Sequence, residues 1–371
     1  MSHLFSSWQI GQLPLSNRIV VAPMAQYSAQ DGSATDWHAV HLGQLALSGA
    51  GLLILEATAV APEGRATPRD LGLYSDDNEA ALAQALKSAR AHSPIKVAIQ
   101  LGHAGRKGSS HVPWEGGKQI PSTQADGWRC VAPSAIPHAQ GEETPIELDA
   151  AGMARTLESY AQAARRAAQL GIDGIEIHAA HGYLVHQFLS PISNRRTDAY
   201  GGTLENRMRF PLQVFDAVRA AFPAERPVWV RVSATDWVEG GWDVEQTVAF
   251  LKALKTHGCA AVHVSSGGVS PQQKIILGPG YQVAFAERIK AETGLATIAV
   301  GLITEPEQAE SILAQGQADA ISIGRRILFN PRWPWHAAAA LGAQVDAPPQ
   351  YWRSQPQQYK DLFRGARLGM R

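Results

Sequence analysis

His178 and His181 stand three residues apart in the run "HAAHGY", which closes an apolar stretch and ends on Tyr183. On a tight turn, that spacing can bring two imidazole nitrogens to one point, with the Tyr183 phenol in reach. Three chemistries suit such a group. The histidines can be satisfied structural side chains. With Glu176 they can ligate a divalent metal, as in a barrel lyase or hydrolase. Or they can donate paired hydrogen bonds to a carbonyl or nitro oxygen while Tyr183 supplies a proton. No third strand-end His or Asp completes a usual ligand set, so no metal is expected, and the strand-end position favours the third reading. Arg231 interrupts another apolar run, "VWVRVS", and a buried guanidinium wants an anion.

The elements that must position these residues follow a simple order. Eight short apolar runs, at 18–23, 52–58, 95–101, 172–178, 228–233, 260–265, 296–300 and 319–324, read as strands. Between most of them lie stretches such as 77–92 and 243–258, whose apolar residues return every three or four positions. At "TEPEQAESIL", Thr304 and Glu307 have capping-box spacing. Near-continuous apolar strands alternating with helices require a parallel sheet buried on both faces, so the expected fold is a single-domain (β/α)8 TIM barrel over 1–371. A doubly wound sheet would want a Gly-rich fingerprint in its first βα turn, and "PMAQYSAQDG" lacks it. Residues from about 102 to 148, rich in Gly, Pro, Ser and Trp, form a long insertion after strand three, suited to a capping lid or substrate wall.

Active sites of such barrels lie at the C-terminal ends of the strands. That rule selects Pro23, Met24, Ala25 and Tyr27, then Ala57, Gln100, His178, His181, Arg231 and Ser265. Gly301 and the pair Gly324 and Arg325 follow strands seven and eight, where these barrels commonly hold phosphate, so they imply a phosphorylated cofactor unless they merely turn the chain.

Composition narrows the partners. Of 371 residues, 45% are hydrophobic, and 33 basic side chains balance 33 acidic ones. Zero formal charge argues against nucleic acid and points to a small-molecule partner. Two cysteines, Cys130 and Cys259, are too few for a disulfide framework or an iron–sulfur cluster, and a reducing cytoplasm is the expected setting. No secretory leader is visible, and no run of roughly 18 apolar residues suggests a membrane partner.

The run "HAAHGYLVHQFLSPISNRRTDAYGGTLENRMRF" resembles the central signature of the Old Yellow Enzyme family of FMN-dependent ene-reductases. "APMAQYSAQDG", "QLGHAGRK" and "ISIGRRILFNP" are similar to its shorter, thermophilic-like bacterial subgroup, which includes the xenobiotic reductases. The resemblance covers nearly the whole chain. It implies FMN contacted by Pro23, Met24, Ala25, Ala57, Gln100 and Arg231, with the phosphate at Gly301, Gly324 and Arg325. NADPH or NADH would reduce the flavin, which would then pass hydride to the β-carbon of an activated alkene. His178 and His181 would hold the activating oxygen, Tyr183 would protonate the α-carbon, and Tyr27 would line the substrate pocket. A non-catalytic flavin-binding barrel is a further alternative. The tail from about 345 to 371 contains "QYWRSQP", which resembles a segment that enters a neighbouring subunit's site. Trp352 and Arg353 are therefore candidates for a shared site in a homodimer or homotetramer. The subgroup usually has cysteine where this chain has Ala25. Losing one weak hydrogen bond, about 0.5–1.5 kcal/mol, shifts a two-electron potential by only about 10–30 mV, so the departure implies tuning of the flavin.

Overall fold

The computed structural model describes residues 2–367, and eight parallel strands close a barrel in chain order. They are β1 (Ile19–Val21), β2 (Leu52–Ala59), β3 (Lys96–Gly102), β4 (Gly174–Ala179), β5 (Val228–Ser233), β6 (Ala261–Ser265), β7 (Ala296–Ala299) and β8 (Ala320–Ile323). Closure comes from β8 pairing with β1, Ile321 beside Ile19 and Ile323 beside Val21. Every residue of β4, β5 and β6 is buried, as strands covered on both faces require. The (β/α)8 expectation holds, and no strand bound moves by more than two residues. The first strand contracts most, because Pro23 has no N–H for the ladder.

Side-chain caps start four of the helices. Ser75, Asp149, Thr203 and Asp243 each accept a backbone N–H at the heads of Asp76–His92, Ala150–Gln169, Leu204–Ala221 and Val244–Thr256. The expected capping box at Thr304 and Glu307 does not form. Pro306 occupies the first turn, Glu305 becomes the cap residue without a side-chain cap, and the Thr304 N–H donates to Gln308 Oε1 at 3.2 Å. Proline keeps the residue before it extended, which moves the helix start one residue later.

Two parts of the fold went beyond the strand and helix pattern. A hairpin of Trp8–Ile10 and Leu13–Leu15 sits at the N-terminal end of the barrel, where a Cβ on Gly11 would meet Pro227 and Ala260 just ahead of β5 and β6. The insertion after β3 carries two short 3-10 turns, a two-residue pairing of Val131–Ala132 with Ile146–Glu147 and an isolated bridge between Ser110 and Gln119. Arg196 holds it in place, donating to the carbonyls of Pro133 (2.9 Å) and Leu148 (2.7 Å) while pairing with Asp198. Among the described residues no helix is long and apolar enough to cross a membrane.

Inside the barrel, Gln100, Glu176 and Trp229 stand in register across β3 to β5, and His178, Arg231 and His263 stand in register across β4 to β6. The fully buried Glu176 carboxylate accepts from Gln100 Nε2 (2.6 Å), Trp229 Nε1 (2.8 Å) and His263 Nδ1 (2.9 Å). Burial by itself would raise its pKa. His263 and Arg231 outweigh that and hold it at about 2, so the group is an anion.

Beyond β4 the chain turns through left-handed residues, His181 at φ +56° and Gly182 at φ +75°. Gly182 N–H donates to His186 Nδ1 (2.9 Å), whose Nε2 is 2.9 Å from the buried Asp236 carboxylate. Lys107 Nζ donates to the carbonyls of His181 and Gly268, each at 2.9 Å, and so ties the loop after β4 to the loop after β6. The two loops touch so closely that a Cβ on Gly268 would lie 2.5 Å from His181 Cα.

Glu176→Gln leaves Arg231 without its counter-charge and places an amide N–H among donors. We expect a loss of about 3–5 kcal/mol in urea unfolding. Gly316 is left-handed with open space around it, so Gly316→Ala costs only the backbone strain of about 1–2 kcal/mol. Gly268→Ala adds about 1–3 kcal/mol of overpacking to that strain. Equal melting temperatures for these two alanine variants would contradict the close packing of the loops.

Candidate active site

Pro23, Met24, Arg231, Gly301, Gly324 and Arg325 line one cavity of about 230 Å3 where β1 and β5 to β8 end. Ser265, Gln282, Ser322 and Arg326 complete much of its wall. Arg231 Nε, Ser322 Oγ and Arg326 Nε are buried without a protein partner, and all three belong to residues of this wall. An orphaned buried polar atom costs about 1–3 kcal/mol, so three around one cavity call for a polar tenant, and two guanidinium groups favour an anionic one. At Gly324 a Cβ would meet only Met24 Sδ at 3.7 Å and Ala22 Cβ at 3.8 Å, which is ordinary contact. The chain's own packing does not demand a missing side chain there, whereas a phosphate group approaching the backbone would. The residues present therefore fit FMN. A larger cavity of about 590 Å3 lies at the other end of the barrel, between the loops before β2 and β3 and residues 346–350, away from these side chains.

The histidine pair stands beside the cavity that Arg231 lines, joined to it through Ser265. His178 Nε2 and His181 Nδ1 are 3.4 Å apart, with the rings nearly perpendicular at 86°. His178 Nδ1 accepts the Ala180 N–H at 3.2 Å, which assigns the His178 proton to Nε2. His181 Nε2 lies 2.7 Å from Ser265 Oγ. Tyr183 stacks on His178 with ring centroids 4.5 Å apart and planes 22° from parallel. Burial, reinforced by Arg231, lowers the His178 pKa to about 3 and holds His181 well below its usual value. Burial raises the Tyr183 phenol, with Asp70 and Tyr27 adding to the effect. At neutral pH the cluster is two neutral imidazoles beside a protonated phenol.

The remaining expected residues fall into three groups. Tyr27, left-handed at φ +52°, meets the edge of Trp114 from the insertion at 5.6 Å between centroids. Ala25 precedes Gln26, whose N–H donates to Glu56 Oε2 at 2.8 Å, and Ala57 follows a register shift in β2. Gln100 is committed through its Nε2 to Glu176, below the histidines. Ala25, Ala57 and Gln100 do not line the cavity wall. Trp352 and Arg353 are not near His178 and His181 of their own chain. The tail lies at the opposite end of the barrel, where Gly49 approaches Val345 and Asp346; Trp352 Nε1 donates to Ala347 O at 3.0 Å and Arg353 is exposed. Residues 368–371 of the tail lie outside the described residues. Both cysteines are buried, one in the insertion and one ahead of β6, so neither supplies a strand-end thiol.

The metal reading loses its third ligand, because Glu176 is already occupied by Gln100, Trp229 and His263. Among the described residues, no three His, Cys, Asp or Glu side chains gather as a ligand group. Sequence reasoning passed over Lys107, Gln282, Arg326 and Trp114. The second arginine of "GRR" was a usable signal for Arg326. Gln282 sits in a loop and reaches Ser266 Oγ at 2.6 Å, with nothing in the residue pattern to announce it.

The model of the NADH:flavin oxidoreductase / NADH oxidase family matches residues 3–344. The chain is 45% identical to the NADPH dehydrogenase of Geobacillus thermodenitrificans (strain NG80-2), across 94% of this chain and 98% of that one. It is 44% identical to the NADPH dehydrogenase of Listeria innocua, across 95% and 99%. Among solved structures, morphinone reductase superposes with a TM-score of 0.76 at 31% identity over 99% of both chains. Morphinone reductase in complex with tetrahydroNAD gives 0.75 at 30%, covering 98% of this chain and 99% of that one. The anion-seeking cavity, the barrel and these likenesses agree: the chain belongs to the NADH:flavin oxidoreductase / NADH oxidase family, of Old Yellow Enzyme type, and is an FMN-dependent oxidoreductase served by a nicotinamide nucleotide.

Proposed function

We propose that this enzyme reduces the C=C bond of α,β-unsaturated carbonyl or nitro compounds. The observation that carries the reading is the neutral histidine pair, with nitrogens 3.4 Å apart, beside the stacked and protonated Tyr183. FMN, when bound, supplies the redox chemistry, taking hydride from NADPH or NADH and giving it to the alkene. Pro23, Met24, Ala25, Ala57, Gln100 and Arg231 would face its ring system, and Gly301, Gly324 and Arg325 would hold its phosphate. Its ring edge would answer the unpartnered Arg231 Nε.

The chain's own residues do the rest. His178 and His181 bind the activating oxygen and stabilise the charge that grows on it as the β-carbon is reduced. Because both imidazoles are neutral, they donate hydrogen bonds without surrendering a full proton to that oxygen. Each such donor is worth roughly 3–4 kcal/mol in the transition state. Tyr183 keeps its proton until the α-carbon of the enolate takes it. Tyr27 and Trp114 form the outer wall of the substrate pocket. Trp352 and Arg353, at the far end of their own barrel, serve a neighbouring site in a homodimer or homotetramer. The cytoplasm, with its NADPH, is the proposed setting.

His181→Ala is expected to lower enone turnover by more than a hundredfold. Stopped-flow traces of Tyr183→Phe should show slowed enone reduction with flavin reduction by NADPH unchanged; equal slowing of both half-reactions would remove Tyr183 as the proton donor. The pH profile of the enone half-reaction gives a separate check. A lowered histidine pKa keeps the imidazoles neutral as pH falls through the usual value of about 6.5, and a raised tyrosine pKa keeps the phenol protonated as pH rises. The rate should stay level from about pH 5 to 8, and an inflection near 6.5 would show a titrating imidazole instead.

A further inference from the structure

We infer that Ser265 is a positioning residue that lets His181 change tautomer when a substrate oxygen arrives, turning a self-paired histidine couple into two donors. The inference rests on the proposed reading of the pair as the oxygen-binding group.

Proton counting leads to it. Ala180 N–H occupies His178 Nδ1, so His178 offers its proton from Nε2, toward His181 Nδ1 at 3.4 Å. Neutral His181 has one proton to place. If the proton is on Nε2, it points at Ser265 Oγ, 2.7 Å away, and Nδ1 accepts from His178. The pair is then satisfied internally, and neither ring has an N–H to spare. If the proton is on Nδ1, two N–H groups stand 3.4 Å apart. They need a shared acceptor, and one oxygen about 2.9 Å from each nitrogen fits that spacing. The change is an exchange of one proton with solvent water before the substrate oxygen seats: Nε2 releases its proton, Nδ1 takes one up, and the ring stays neutral while His178 keeps its own Nε2 proton. His181 Nε2 then becomes an acceptor and must find a donor.

Ser265 serves both states, because a hydroxyl accepts and donates at one atom. Its surroundings leave it free to reverse. The other acceptor in reach is Gln282 Oε1 at 3.4 Å, which already takes the Ser266 hydroxyl at 2.6 Å. The backbone cannot drift to compensate. His181 N–H is held by Ser233 Oγ at 2.9 Å and its carbonyl by Lys107. Ser265 itself is buried at the end of β6, so water does not replace its hydroxyl freely. Donation into Nε2 also polarises the ring and strengthens the opposite N–H as a donor.

The test is 15N NMR of the FMN-loaded enzyme labelled at histidine, without and with 4-nitrophenolate as an oxyanion probe. His181 should carry its proton on Nε2 in the free enzyme and on Nδ1 in the complex. Ser265→Ala should bind the probe about tenfold more weakly, as expected for one lost hydrogen bond, and Ser265→Thr should restore binding. The inference is overturned if His181 keeps one tautomer throughout, or if Ser265→Ala binds as the parent does. His181→Ala separates the two ideas: unchanged probe affinity there would sink the oxygen-binding reading itself, whereas a loss of affinity with a fixed tautomer would remove only the role of Ser265.

Discussion

A single buried carboxylate organises this barrel. Glu176 lies at its centre, where a lone anion would be costly. It is stable there because Gln100, Trp229 and His263 each give it a hydrogen bond and Arg231 stands in the neighbouring register. The charge of Glu176 in turn lets Arg231 remain a cation at the strand ends, since burial lowers the Arg231 pKa and Glu176 opposes the effect. Arg231 then acts upward, helping to keep His178 and His181 neutral. The chemistry at the mouth of the barrel thus depends on an anion in its floor. The three side chains that satisfy the anion come from β3, β5 and β6, so the closure of the barrel and the electrostatics of the site are one constraint.

Geometry around the histidines has a second dependence, on backbone shape. His181 adopts a left-handed conformation that a residue with a Cβ rarely takes, at a cost of about 1–2 kcal/mol. Its neighbours over-determine it: Ser233 holds its N–H, Lys107 holds its carbonyl, and the bare backbone of Gly268 leaves room for its Cα. Burial lowers the Lys107 ammonium to about 8, yet both of its acceptors are backbone carbonyls that bind an amine in either protonation state. Strain of this kind is found where a fold points a side chain somewhere specific, and here it turns His181 toward both His178 and Ser265.

Much of this was legible in the residues. Eight apolar runs alternating with helical periods require a parallel sheet covered on both faces, and strand ends locate the site without coordinates. Arg231, as a guanidinium inside an apolar strand, announced an anion. Other features were not legible, for identifiable reasons. The Thr304 capping box failed because Pro306 shifted the helix start. The hairpin at Trp8–Ile10 and Leu13–Leu15 is too short to stand out from loop. Gln100 was visible as a strand-end residue, but no local pattern showed that its amide N–H donates to Glu176.

The sequence by itself determined the class of fold, the strand-end residues and the family, because periodicity, turn chemistry and the long run from His178 to Phe210 are local properties of the chain. Only the tertiary structure decided how those residues share protons. That Glu176 is occupied rather than free for a metal, that Arg326 and Ser322 join Arg231 around one cavity, and that Ser265 meets His181 from 84 residues away all depend on which strand ends a closed barrel makes neighbours. Contacts between side chains so distant in the chain leave no periodic trace in it, since any hydroxyl after β6 reads the same until the barrel brings an imidazole to it.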